Sequence, residues 1–484
     1  MTITVTLEIS NKEIDNFGDL CRTAFNLAME FGRKLVVQAL ELRDRELAET
    51  RDKKRFRCKG KRKTCVKTML GAVEYSRNVY VDNAAPESEK CVYLLDEELE
   101  INKVGLVSED VCQAVATAVC ETSYRGAAKM ITETTGLTIS AQGAWNIIQK
   151  LGKNRKEQIK QQAQQAEEHH STGIIASKLL YEENDGISLK LQGKSREKYG
   201  RNKEMKVGIA YDGATWQIGK GKKKRRTLDA KIAYASFENA QDFMKNKEGV
   251  VASRFNVDEV ELRVINGDGA QWIQKHGDTD CISVLDKFHR NKKITECVRD
   301  PEFAILIRDL LYAGRIDDVI TCIGAQINSV EDAQEKIDLC ELYSYYANNK
   351  SALLGYYDRG ITIPETRRPG EIHHARMGSM ESNVFTLVGN RMKGRRACWS
   401  EDGANNLVLV LCAYHTTGLE ELFAVTAPNT VAVCDVPDMD TIGSAGRTPK
   451  TEGHGYCFWN SGTMSATWAR YATGMRSFTE MNYI

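Results

Sequence analysis

The chain has 484 residues, 42% of them apolar, and a formal net charge of +1. The length suits about three domains rather than one, and the near-neutral balance excludes a chain that is polycationic throughout. No charged region followed by an apolar stretch opens the N-terminus, and no apolar run is long enough to span a bilayer, so neither a signal peptide nor a membrane anchor is expected. The 14 cysteines fall at irregular spacings without a Cys-x-x-Cys pair. Cys58 and Cys65 lack partner ligands at zinc spacing. Cys112, Cys120, Cys340 and Cys412 sit in apolar contexts and read as reduced core thiols of a cytosolic protein.

Residues 1–50 read as an N-terminal helical region. Leu20, Phe25, Met29, Leu35, Val36, Leu40 and Leu42 form its apolar face, suited to packing or dimerisation. Residues 51–100 change character. Basic residues crowd Arg51 to Lys67, against the single acid Asp52, and the alternation from Lys63 to Tyr80 predicts a hairpin or small sheet. Its basic edge, with Arg55, Arg57, Lys61, Arg62 and Lys63, suits either a phosphate backbone or a strand kept soluble by charge.

Residues 101–171 read as helical. Ser108 opens one helix, with Val111, Val115, Ala118 and Val119 as its apolar stripe. The segment Ser123 to Lys150 resembles a helix-turn-helix: Gly136 ends one helix, Leu137 and Ile139 plug the turn, and Ser140 caps the next. That second helix is expected to bury Ala144, Trp145 and Ile148. It would present Gln142, Asn146, Gln149 and Lys150, side chains suited to base edges and phosphates in a major groove. A plain helical hairpin is the alternative. Residues 153–171 read as a polar connector.

Residues 172–289 carry the most informative pattern. A strand candidate at Ile187–Gln192 is followed by an apolar run, Val207 to Tyr211, that delivers Asp212-Gly213. Further strands are expected at Thr215–Ile218 and, after a second basic block at Lys220–Arg226, from Leu228 to Phe237. A helix from Glu238 to Arg254 leads to a strand ending at Asp268-Gly269. Cys281–Leu285 forms a last strand, ending at Asp286, with His289 three residues on. Three strands, a helix, a strand, a helix and a strand make a mixed α/β layer fold. Two strands ending in Asp-Gly suggest oxygen ligands at one sheet edge, suited to a hard divalent cation; ordinary turns are the bland alternative.

Residues 290–372 carry no strand signal and read as an all-helical insertion, with helices opening at Pro301 and near Ser329 and Asp332. In residues 373–420, Ser379 is expected to cap a helix carrying Glu381, with Phe385, Val388 and Met392 on its core side. Arg391, Lys393, Arg395 and Arg396 follow; they complement a helix C-terminus or grip phosphate. Residues 421–484 form a tail with no assignable role.

The motifs Asp212-Gly213, Asn266-Gly267-Asp268-Gly269-Ala270-Gln271-Trp272-Ile273, Leu285-Asp286-Lys287-Phe288-His289 and Gly378-Ser379-Met380-Glu381-Ser382-Asn383 stand in an order that resembles bacterial insertion-sequence transposases of the ISLre type. These are DDE enzymes related to the Mutator-like elements, and the resemblance runs from the N-terminal helix to about residue 415. It implies an RNase H-like catalytic core split by the helical insertion. It also implies a catalytic, metal-holding triad of Asp212, Asp268 and Glu381 with two Mg2+ or Mn2+ ions, acting on double-stranded DNA at element ends and target. Asp286 and His289, with Arg391 and Lys393, become candidate phosphate contacts; a local cap is the alternative for the Asp286–His289 pair. A homodimer or higher oligomer in the synaptic complex and a cytoplasmic, nucleoid-associated place in a bacterium go with the same resemblance. The rival readings are a domesticated DNA-binding regulator and an RNase H-like nuclease or resolvase.

Overall fold

A computed structural model describes residues 15–86, 91–101, 107–168, 171–218, 224–270, 273, 281–394 and 396–423. Helix α1 (Phe17–Thr50) starts at Asn16, whose side chain accepts from the Asp19 N–H and so satisfies one otherwise orphaned donor. The expected hairpin follows as β1 (Phe56–Thr68) and β2 (Gly71–Asp82), antiparallel, with the two-residue β3 (Cys91–Val92) beside β2. Val66, Val73, Tyr75 and Leu95 form a small core under Val36, Val37, Leu40 and Leu47 of α1. A short helix α2 (Leu94–Glu98) supplies Leu95 and also Asp96, which pairs with the buried Arg77.

Helices α3 (Glu109–Glu121), α4 (Tyr124–Thr134) and α5 (Ala141–Glu167) follow. Ser140 caps α5, its hydroxyl accepting from the Gly143 N–H at 3.0 Å, as expected. Gly136 is needed for room rather than for a left-handed cap. A Cβ there would lie 2.3 Å from the Leu70 carbonyl oxygen, and its N–H donates to Met69 O at 2.9 Å. The hairpin tip is thereby locked onto the turn between α4 and α5.

Two expectations for α5 change. Trp145 is exposed, and Ile147 takes the buried position instead. The stretch after residue 152 is not a free connector but the second half of the same helix. Gly152, Arg155, Ile159 and Ala163 recur once per turn and are buried. The seam escapes hydropathy reading because half of it is glycine and arginine. Small residues let the backbones close up: a Cβ on Gly152 would touch Asn406, and one on Gly249 would touch Ala163.

The central sheet runs in the order Cys281–Leu285, Leu262–Gly267, Leu179–Lys190, Asn202–Tyr211 and Ile232–Ser236. The middle strand β5 (Leu179–Lys190) is preceded by the two-residue β4 (Ile175–Ala176) and followed by helix α6 (Gly193–Tyr199). β6 (Asn202–Tyr211) returns antiparallel to it. A separate ribbon, β7 (Gly213–Ile218) with β8 (Lys224–Asp229), then projects from the end of β6. β9 (Ile232–Ser236) pairs antiparallel with β6. The strand expected over Leu228–Phe237 is thus two strands, broken at Ala230, whose φ of 49° no extended strand accommodates.

Helix α7 (Ala240–Arg254) crosses over, and β10 (Phe255–Asn256) pairs with β4. β11 (Leu262–Gly267) then lies parallel to β5 on its other side, and β12 (Cys281–Leu285) parallel to β11. One sheet face, with Tyr181, Val207, Ile209 and Val264, shares a core with α3, α4 and α5. The other, with Leu180, Ala210 and Tyr234, packs on Phe243 and Val251 of α7.

The insertion is helical as expected: α8 (Lys287–Cys297), α9 (Pro301–Tyr312), α10 (Ile316–Ser329), α11 (Ala333–Asn348) and α12 (Lys350–Leu353). Ile307, Val319, Ile323, Leu342 and Tyr346 give it a core of its own. Ser329 closes α10 and Asp332 caps α11; the sequence reading joined the two positions as one start and did not resolve α10. After the insertion, α13 (Met380–Val384) runs on as a π-helix over Phe385–Lys393, and α14 (Glu401–His415) packs on α5 and β9. Val388 and Met392 are buried as expected, whereas Phe385 is exposed. Cys112, Cys120 and Cys412 are buried free thiols, while Cys340 is exposed. Among the described residues no helix is long and apolar enough to cross a membrane.

Candidate functional site

The middle strand carries four consecutive polar residues, Glu182 to Asp185, and the pleat sorts them. Glu182 and Asn184 face α7, where the buried Lys247 ammonium donates to both. Glu183 and Asp185 point to the opposite face. Strand pairing sets their neighbours: Asn266 of β11 is level with Glu183, so Asp268, two residues further along a parallel strand, stands level with Asp185. Both carboxylates sit at the end of the sheet where β11 and β12 finish. Asp185 and Asp268 are each partly accessible.

Asp286 follows β12 at the same end. It caps α8, accepting from the Phe288 and His289 N–H groups at 3.0 and 3.2 Å and from His289 Nδ1 at 3.2 Å. Its other oxygen accepts from Asn266 Nδ2 at 3.2 Å. Burial disfavours its charge, but these hydrogen bonds, from the His289 ring first, outweigh that and hold its pKa below the ordinary value. The Asp286 hydrogen bond raises the His289 pKa against burial, and Asp185, Asp286 and Asp268 add to the effect through their charges. Burial also raises the Asp185 pKa; His289 opposes the shift, and Asp268 and Asp286 reinforce it. Asp185, Asp268, Asp286 and His289 therefore form one electrostatic cluster: a crowded set of acids with one imidazole that favours its protonated form. The insertion touches its edge. Tyr345 on α11 donates to the Asp268 carbonyl at 2.6 Å.

Glu381 lies on the first turn of α13 and is exposed. The loop before it is tied to the sheet. Gly378 and Ser379 donate their N–H groups to Glu183, and Arg226 of β8 reaches the Ser379 hydroxyl at 2.7 Å and the Arg376 carbonyl at 2.6 Å. Gly378, at φ 106°, takes the backbone round toward Asp286; a Cβ there would lie 3.8 Å from Asp286 Oδ1.

Asp212 is not part of this cluster. It follows Tyr211, which is level with Tyr181, so it leaves the sheet five rungs from Asp185, roughly 15 Å along the strands. Its side chain is completely buried, and one oxygen accepts from Arg367 Nε at 2.7 Å. Arg367 also binds Asp229. Burial raises the Asp212 pKa despite that pairing. A carboxylate closed off from solvent and bound to a guanidinium is placed to hold the loop after the insertion, not an ion. Asp185-Gly186 carries the same Asp-Gly signal as Asp212-Gly213 and Asp268-Gly269, but in a polar run that hydropathy does not mark as a strand.

The expected DNA contacts divide. Arg57, Lys61, Arg62 and Lys63 are exposed along β1, and Arg55 is forked onto Asp82. Gln142 and Lys150 are exposed on α5, with Gln142 bonded to Asn146 at 2.9 Å. Gln149 is buried and accepts from Asn406 at 2.7 Å, so it faces the core rather than a groove. Arg391 is likewise structural: it donates to the Val119 carbonyl at 2.6 Å and packs over Tyr124 and Trp399, which removes it as a phosphate contact. Lys393 is exposed; Arg395, Gln271 and Trp272, with the tail from residue 424 and most of the basic block at 220–226, lie outside the described residues.

Among the described residues no three His, Cys, Asp or Glu side chains are gathered tightly enough to enclose a metal ion. Asp185 and Asp268 offer two partly accessible hard oxygen donors on neighbouring strands, in a cluster whose mutual repulsion a cation would relieve. That donor set fits Mg2+ or Mn2+, which bind through one or two carboxylates and keep positions for substrate phosphate and water.

The fold and cluster define a mixed α/β protein with an acidic centre at the end of its parallel strands. The chain belongs to the uncharacterised protein family UPF0236, whose model matches residues 11–422. No curated protein matches it.

Proposed function

We propose that the protein is a DNA transposase that cleaves and joins DNA strands with a DDE carboxylate set on an RNase H-like core. The set is Asp185, Asp268 and Glu381, with Asp185 in the place first given to Asp212. The observation that carries the reading is the acidic cluster at one end of the sheet: Asp185 on β5, Asp268 directly after the adjacent parallel β11, and the loop before the Glu381 helix pinned to β5. The order of elements, three antiparallel strands, a crossover helix and two parallel strands, agrees with the RNase H-like expectation.

Asp185 and Asp268 would hold two Mg2+ or Mn2+ ions, with Glu381 completing the set. Such ions activate an attacking oxygen and neutralise the leaving one in phosphodiester cleavage. His289, whose protonated form the Asp286 hydrogen bond favours, would offer a donor to a phosphate approaching the cluster. Tyr345 and Asn266 hold the Asp268 and Asp286 segments in register. The exposed basic edge of β1 and the Gln142, Asn146 and Lys150 face of α5 would hold double-stranded DNA, the first through phosphates and the second through base edges. Assembly as a dimer or larger synaptic complex on paired element ends, within a bacterial nucleoid, belongs to the same reading.

A mobilisation assay tests it. A resistance marker flanked by the DNA that borders the coding region is supplied with the protein in a host lacking the element. Mobilisation with short target duplications, lost in Asp268→Asn, is expected; equal marker movement with and without the protein would defeat the reading.

A further inference from the structure

Glu183 is a buried carboxylate that the chemistry above does not use. It is fully buried, yet donors from three separate elements converge on it. Tyr211 of β6 donates its hydroxyl at 2.6 Å, and Asn266 of β11 its amide at 3.0 Å. The Gly378 and Ser379 N–H groups, just before α13, approach at 2.9 and 3.0 Å. Every partner donates to it; a glutamine of the same shape would keep one acceptor oxygen and lose both the second oxygen and the charge that strengthens all four bonds.

We infer that Glu183 is a positioning residue that sets the three proposed metal-holding carboxylates in register: it shares β5 with Asp185, grips β11 two residues before Asp268, and anchors the loop two residues before Glu381. The inference rests on the reading of Glu381 as the third carboxylate. Its physical basis is local. Glu381 is exposed on the opening turn of a helix that runs on to Lys393, and the loop leading to it is joined to the sheet through this carboxylate and held on its outer side by Arg226. Without Glu183 both backbone donors lose their acceptor on the sheet, and the loop gains freedom to move.

The test compares the full chain with Glu183→Gln, reading hydrogen–deuterium exchange at the Gly378 and Ser379 amides and the affinity for Mn2+ by electron paramagnetic resonance. Exchange at these two amides is expected to rise about tenfold while amides of β6 and β9 keep their protection. Mn2+ affinity is expected to fall about tenfold, the usual effect of losing a group that orients metal ligands. Unchanged exchange at both amides, or a rise matched across the whole sheet, overturns the inference. Tyr211→Phe keeps the ring stacked on Tyr181 and removes only the 2.6 Å bond, so it carries the test if Glu183→Gln does not fold. It should loosen the same two amides about threefold, and unchanged exchange there overturns the inference equally. Failure of the wild type to bind Mn2+ would defeat the metal reading, and the amide exchange would still decide whether Glu183 anchors the loop.

Discussion

Replacing Arg367 by Met should leave a buried carboxylate without its cation. Asp212 is completely buried, and Asp229, with 17% of its side chain exposed, binds the same guanidinium. Removing one partner of a buried pair costs about 3–5 kcal/mol. The Arg367 side chain is itself 27% exposed, so the lower end, about 3 kcal/mol, is the working figure. A loss of that size should lower the melting temperature by ~5–10 °C.

The pH dependence has a definite sign. Burial already raises the Asp212 pKa above that of the unfolded chain, and loss of Arg367 raises it further. The folded variant therefore holds a proton that the unfolded chain releases above about pH 4. Its stability falls as pH climbs from there toward neutrality. Thermal melts at pH 7 and pH 5 should show the larger deficit at pH 7, and adding Asp212→Asn should recover most of it. A deficit that grows on acidification, or a variant as stable as wild type at pH 7, would refute the assignment of Asp212 to the frame.

His289→Ala should cost about 1 kcal/mol below pH 6.5 and progressively less above it. The raised His289 pKa makes its contribution full below the unfolded value of 6.5 and lost as pH rises through the folded one; urea titrations at pH 6 and 9 check this. Gln149→Ala should lower stability by about 1–2 kcal/mol and leave DNA sequence preference unchanged, because Gln149 bonds Asn406 inside the core. Denaturation and competition binding, read together, separate these effects. Neutralising Lys61, Arg62 and Lys63 together should weaken binding to every duplex and flatten the salt dependence of log K by about 2–3 units of slope. A change confined to one sequence would place these residues in base readout instead.

The sequence announced α1, the β1–β2 hairpin, α3, α7, β11, β12, and helices α9 and α11 of the insertion. Of the middle strand it showed only the far end, within the candidate Ile187–Gln192, and hid the rest. Leu179–Asp185 reads Leu-Leu-Tyr-Glu-Glu-Asn-Asp, and no hydropathy rule marks as buried a run whose charges are matched by Lys247, Arg263, Tyr211 and backbone N–H groups far along the chain. The tertiary partners make that strand possible, and they are invisible locally. The same cause drew the sequence-based triad to Asp212 rather than to Asp185, the residue proposed in its place. Asp212 follows a clean apolar strand and so drew attention, whereas Asp185 sits in a polar one. Asp268, Asp286 and Glu381 were legible because each stands at the end of an ordinary strand or the start of a helix. Gln149 was assigned outward from helical spacing alone, which cannot register α14 packing on that side of α5.

The most direct measurement is cleavage of labelled duplex carrying the element end by purified protein in Mg2+ or Mn2+, with the products mapped at nucleotide resolution. Wild-type protein should nick at the end and leave a 3′-hydroxyl. Asp185→Asn and Asp268→Asn should bind the same DNA but lose cleavage by about a thousandfold or more, while Asp212→Asn should keep most of it. Full cleavage by Asp185→Asn, or metal-independent cleavage by the wild type, would contradict the account.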